Sequence, residues 1–79
     1  MPMLSEEAGF VFRSRMGDCA ERPHVHITGN DGTAKAWFRP VVLERSRGYA
    51  DPQIGRILRI VQEHEGEWLL EWEKRCGGD

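Results

Sequence analysis

No run of apolar residues in this 79-residue chain approaches the ~20 needed to cross a bilayer, so no membrane association is expected. Met1 to Glu7 lacks the basic stretch followed by an apolar one that marks a secretory leader. Cysteine is scarce. Cys19 and Cys76 stand far apart with no Cys-x-x-Cys pair, and they are read as free thiols of a cytoplasmic protein. Repeats, linkers and low-complexity segments are absent. So are a nucleophile triad, a phosphate-cradling glycine loop and a paired-carboxylate motif, so catalysis is not favoured.

What is present is a small soluble composition, 39% hydrophobic and 30% charged. The length allows one domain, residues 1–79, with a thin core that a small protein partner or a homodimer would complete. Charge is unevenly spread. Residues 1–59 hold nine Lys/Arg against seven Asp/Glu, and residues 60–79 hold two against six. Any basic surface therefore belongs to the first part of the chain, and the C-terminal end is acidic.

The chain is organised around Arg22-Pro23-His24-Val25-His26-Ile27. Residues two apart in a strand share a face, so His24, His26 and Thr28 point one way and Val25 and Ile27 the other. Gly29-Asn30-Asp31-Gly32 is turn chemistry, because Gly, Asn and Asp tolerate positive φ. A turn centred on Asn30-Asp31 pairs Thr28 with Thr33, Ile27 with Ala34, His26 with Lys35, Val25 with Ala36 and His24 with Trp37. This register keeps Val25, Ile27, Ala34, Ala36 and Phe38 on one side. A one-residue slip would mix the faces.

Around this hairpin, residues 1–8 read as a loose lead-in, 9–45 as sheet and 51–76 as helical. Gly9 to Arg15 forms a first strand with Phe10 and Phe12 facing the core. Val41-Val42-Leu43 follows Pro40 as an edge strand, and Arg45 to Gly48 is expected to turn. Asp51-Pro52 starts the helix, with Asp51 as the cap. Ile54, Ile57, Leu58, Val61, Trp68, Leu69 and Trp72 recur at helical spacing, and Gly66 leaves one helix or two open. The fold class is α+β: a small antiparallel sheet of three or four strands packed on one or two C-terminal helices.

The same residues carry a resemblance. His24-Val25-His26-Ile27 is followed by Ala34-Lys35-Ala36-Trp37-Phe38 with Pro40 and Leu43. Then come Ser46-Arg47-Gly48-Tyr49, Ile57 to Val61 with His64, Leu69-Leu70-Glu71 and Trp72. In order and spacing, about residues 9 to 75 resemble the small bacterial family called domain of unknown function 4160. Phe38, where the family has a bulky aliphatic, is a mild departure. Asp18 and Glu21 lie in the loop where such chains often carry an acidic residue or Asn. The resemblance implies a neighbour-encoded small protein partner in a toxin–antitoxin-like arrangement. It carries over no catalytic residue.

Several functional readings follow. The first is an interaction module whose recognition surface is His24, His26, Lys35, Trp37, Arg13 and Arg15. The second is a nucleic-acid platform on the same face with Arg39 added, basic groups meeting phosphates and Trp37 stacking a base. An RNA-cleaving toxin would use His24 or His26 as general acid/base beside Lys35 or an Arg. The last is a zinc site on His24 and His26, with Cys19, Asp18 or His64 as further ligands at no recognised spacing. The two imidazoles are expected on the surface. A helix-turn-helix over 51–75 is discounted, because Glu65, Glu67, Glu71 and Glu73 would repel DNA phosphates.

Overall fold

The computed structural model describes residues 3–14, 19, 20 and 22–76. Five strands form one antiparallel meander: β1 (Met3–Glu7), β2 (Phe10–Arg13), β3 (His24–Gly29), β4 (Gly32–Trp37) and β5 (Val42–Arg47). A single helix, α1 (Asp51–Arg75), follows. The class is the α+β one expected, with one strand more than the three or four anticipated.

The β3–β4 hairpin has the register that parity requires, from Thr28 opposite Thr33 to His24 opposite Trp37. Asn30 and Asp31 turn with φ of 50° and 65°, the conformation for which short polar residues are suited. Gly29, at φ 107°, is strained by any side chain: an added Cβ would run into the Gly9 carbonyl oxygen. Tyr49 seals this end, donating its hydroxyl to the Gly29 carbonyl at 2.7 Å.

Two local expectations are corrected and one open question is answered. The segment taken as a loose lead-in contains β1, which pairs with β2 from Glu7 opposite Phe10. Its sequence, Met3-Leu4-Ser5-Glu6-Glu7, has no apolar alternation to announce a strand. The strand after Pro40 does not turn at Arg45 but runs to Arg47, its exposed charged side chains typical of an edge. And Gly66 does not break the helix, since a lone helical glycine has only a propensity cost.

The helix is capped one residue earlier than expected, at Ala50 and not at Asp51. Gln53 performs both halves of the cap. Its amide donates to the Ala50 carbonyl at 2.9 Å, and its side-chain oxygen accepts from the Ala50 amide at 2.8 Å. The core lies between sheet and helix. Phe10, Phe12, Val25, Ile27, Ala34, Ala36 and Phe38 meet Ile57, Ile60, Val61, Trp68 and Leu69. Trp68 rests on Phe12, ring centroids 5.3 Å apart. Leu58, expected inside, is only half-buried, and Ile60 takes the inward position.

The acidic half of the helix is occupied by the fold itself. The Glu65 carboxylate accepts from the Arg39 amide at 2.8 Å, and Glu73 pairs with the Arg39 guanidinium at 3.0 Å. The turn between β4 and β5 is thereby fastened to α1. Its other side is held by Arg22, whose Nε and Nη2 donate to the Phe38 carbonyl at 3.0 and 2.7 Å.

The cysteines are not free thiols. Cys19 and Cys76 form a disulfide across 57 residues, with Cα atoms 5.3 Å apart. The meander and the returning helix bring the segment after β2 beside the end of α1. No local spacing in the sequence encodes that meeting.

Candidate functional site

The helix covers one sheet face and, among the described residues, leaves the other uncovered by a second layer except where Trp72 reaches the His24 end. Cross-strand partners share a face, so the ladder pairs define what the open face presents. Arg13 pairs with His26, His26 with Lys35, and Lys35 with Arg45. Three cations and an imidazole therefore stand in one row across four adjacent strands. At the ordinary strand spacing the row is about 14 Å long.

A register shift between Lys35 and Ala36 builds the end of this row. It leaves Glu44 as an extra residue beside Arg45, opposite Lys35. The Glu44 carboxylate lies 3.7 Å from Lys35 Nζ and 2.9 Å from Arg45. Lys35 is 7% exposed although it faces outward. Its ammonium sits 4.6 Å from the centre of the Trp37 ring, and the Arg22 guanidinium lies 5.7 Å from the same ring. Next to the row is a shallow groove of about 240 Å³ lined by His26, Ile27, Thr28, Thr33, Ala34 and Arg45.

Residues 9–73, most of the chain, match the family described as Domain of unknown function (DUF4160). The chain belongs to the DUF4160 family. No curated protein and no solved structure matches it. The family span runs from just before β2 almost to the end of α1, so it contains the whole row from Arg13 to Arg45.

Within this DUF4160 fold the expected recognition residues separate into groups. Arg13, His26, Lys35 and Trp37 are brought together. Arg15 lies outside the described residues, as do Asp18 and Glu21. Arg39 belongs to the helix contact and not to the open face. His24 is on the predicted side of β3 but is fully buried, which corrects its placement at the surface. Trp37 and Trp72 close over it, with ring centroids 5.5 and 5.1 Å away, and His26 stands at 4.9 Å. Its Nδ1 lies 2.8 Å from the Arg22 carbonyl, so that nitrogen carries the hydrogen and donates. Parity correctly gave the face. It could not show that Trp72, from the far end of the chain, reaches this end of the sheet. Arg45 was missed because its segment was read as a turn.

Of the ligands considered beside His24 and His26, Cys19 and His64 are engaged elsewhere. Cys19 is in the disulfide, and Asp18 is outside the described residues. His64 is engaged elsewhere, with Nε2 2.8 Å from Glu7 and Nδ1 3.2 Å from Glu67. Among the described residues no group of three or more His, Cys, Asp or Glu is arranged to hold a metal ion.

His64 lies flat against Trp68, with ring centroids 4.7 Å apart and an interplanar angle of 8°. Its pKa is raised, chiefly by the hydrogen bond to Glu67, with Glu7 adding to it and burial opposing. No helix of the described residues is long and apolar enough to cross a membrane.

Proposed function

We propose that this DUF4160 domain is a recognition module that binds a small, acidic partner protein through the open face of its sheet. The observation that supports this reading is the row Arg13–His26–Lys35–Arg45, positioned by four consecutive strands. Side chains standing on a rigid ladder lose less freedom on binding than side chains on a loop. Lys35 is held beneath the surface by Trp37 and Glu44, so the charges a partner meets are chiefly those of Arg13 and Arg45. Such a surface is complementary to carboxylates on a partner and would guide its approach.

One feature favours a protein over a nucleic-acid strand. The Trp37 ring is already engaged by Lys35 and Arg22, whereas base stacking needs an open aromatic face. As partner we propose a small protein encoded beside this chain, in a toxin–antitoxin-like pair. We further propose a cytoplasmic location. There the thiol pool reduces most disulfides, so the location requires the Cys19–Cys76 bond to be open in intact cells, and protection of both cysteines from alkylation there would overturn that part.

The deciding experiment is co-expression with the neighbour-encoded protein, followed by calorimetric titration at several salt concentrations. A stoichiometric complex that weakens with salt, and weakens at least about ten-fold in Arg13→Glu/Arg45→Glu, is the expected result. A complex indifferent to both changes removes the reading. So does selective binding of a single-stranded oligonucleotide in place of the protein.

A further inference from the structure

The recognition face ends at an open edge. β5 is the last strand of the sheet, and among the described residues no strand pairs with its other side. Its free backbone groups therefore face outward from Val42 to Arg47.

Two rows of side chains of opposite chemistry stop at that edge. On the open face the row Arg13–His26–Lys35 stops at Arg45, whose side chain is 65% exposed, and Arg47 follows on the same strand face. On the core face the row Val25–Ala36 stops at Leu43, which is only half-buried. Ser46, also on the core face, is exposed, so neither side of this end of β5 is covered. A ladder continued by one position would meet arginines on one face and an aliphatic leucine on the other.

We propose that β5 is a docking edge, and that an extended segment of a partner protein adds to it as a sixth strand. This rests on the recognition reading above and names how the partner binds. The segment that fits alternates carboxylates with aliphatic side chains. Its carboxylates would stand opposite Arg45 and Arg47, where opposite charges in cross-strand positions are favourable. Its aliphatic side chains would extend the row that Leu43 ends, removing apolar surface from water. The backbone bonds supply attachment and the alternating side chains supply selection.

The features that guard this edge also set its selectivity. Charged side chains and a bulge beside an edge hinder chance pairing of strands. At β5 the guards are Arg45, Arg47 and the extra residue Glu44. A basic strand would be opposed by Arg45 and Arg47, whereas an acidic one adds carboxylates to the Glu44 contact that Arg45 already makes, so the guard discriminates among partners. The opposite edge of the sheet does not offer the same combination. β1 carries Glu6 and Glu7, and Glu7 is already bonded to His64.

The test uses the full chain, isotopically labelled, and a capped decapeptide of alternating Glu and Val followed by NMR. Expected are shifts and new exchange protection confined to the amides of Val42–Arg47. Methylating alternate peptide nitrogens on the pairing edge, or making Arg45→Glu/Arg47→Glu, should each weaken binding by about ten-fold or more. A Lys–Val decapeptide should not bind.

Binding that needs the arginines but ignores backbone methylation would overturn edge addition and leave recognition by the open face intact. Absence of peptide binding at millimolar concentration, protection at β1, or self-association of the chain through β5 would also overturn it. The co-expressed partner still judges the wider reading in each of these cases.

Discussion

His64 joins the middle of the helix to the first strand: its Nε2 lies 2.8 Å from the carboxylate of Glu7, 57 residues earlier. Its other ring nitrogen faces Glu67 at 3.2 Å. A carboxylate accepts but does not donate, so both bonds are made together only by the doubly protonated imidazolium.

This relationship gives a pH prediction. Glu67, and then Glu7, raise the folded-state pKa of His64 above its ordinary value of about 6.5. The stabilisation is therefore fully present below that ordinary value and is lost as pH rises through the raised one. The stability difference between the native chain and His64→Gln, measured by urea unfolding, should shrink as pH rises from below the ordinary value through the raised one. Exchange protection of the β1 amides should fall over the same range. A difference that grows with pH would contradict the assignment.

The helix face is tested by neighbouring residues. Ile57 is fully buried and Leu58 only partly so. Ile57→Ala should cost about 2–5 kcal/mol through lost transfer energy and the cavity left behind. Leu58→Ala should cost less, about 1 kcal/mol. Equal losses in chemical denaturation would mean that the helix is rotated from the orientation described.

The two histidines of β3 should behave differently. His24→Ala removes a buried ring packed by Trp37 and Trp72 and leaves the Arg22 carbonyl without its donor. A loss of about 1–3 kcal/mol is expected for the unmet hydrogen bond, with a packing loss added. His26, half-buried at the open face, should change stability by only about 0.5 kcal/mol on replacement by Ala. Thermal unfolding of the single variants separates the roles that a double variant would blend.

The disulfide should account for a large part of the stability of so small a domain. Closing a loop of 57 residues restricts the unfolded chain by an amount worth about 2–4 kcal/mol. Reduction, or Cys76→Ser, should lower the melting temperature clearly while the sheet signals persist. An unchanged melting temperature on reduction would show that the bond is not formed in the isolated protein.

These particulars show where the sequence was legible. The β3–β4 register was readable because alternation and turn chemistry agree within fifteen residues. The helix start was readable, to within one residue, for the same reason. β1 was hidden because what holds it is the pairing with β2 and the contact with His64, and neither leaves an apolar pattern. β5 was cut short because arginines on an open edge look like a turn. The burial of His24 and the Cys19–Cys76 bond depend on where the end of α1 arrives, which is a property of the folded chain alone. The bulge at Glu44 had the greatest effect on the site, since it sets Arg45 in line with Lys35.

The bond between Cys19 and Cys76 also changes the covalent topology of the molecule. Residues 19–76 become a closed ring containing β3, β4, β5 and α1, and β1 and β2 form a tail attached to it. A protease that cuts the exposed turn at Asn30-Asp31 opens the ring without dividing the molecule. A cut between β2 and Cys19 leaves the first two strands held by the β2–β3 pairing and core contacts alone. The two ends of this small sheet therefore differ in what a single break in the backbone can disconnect covalently.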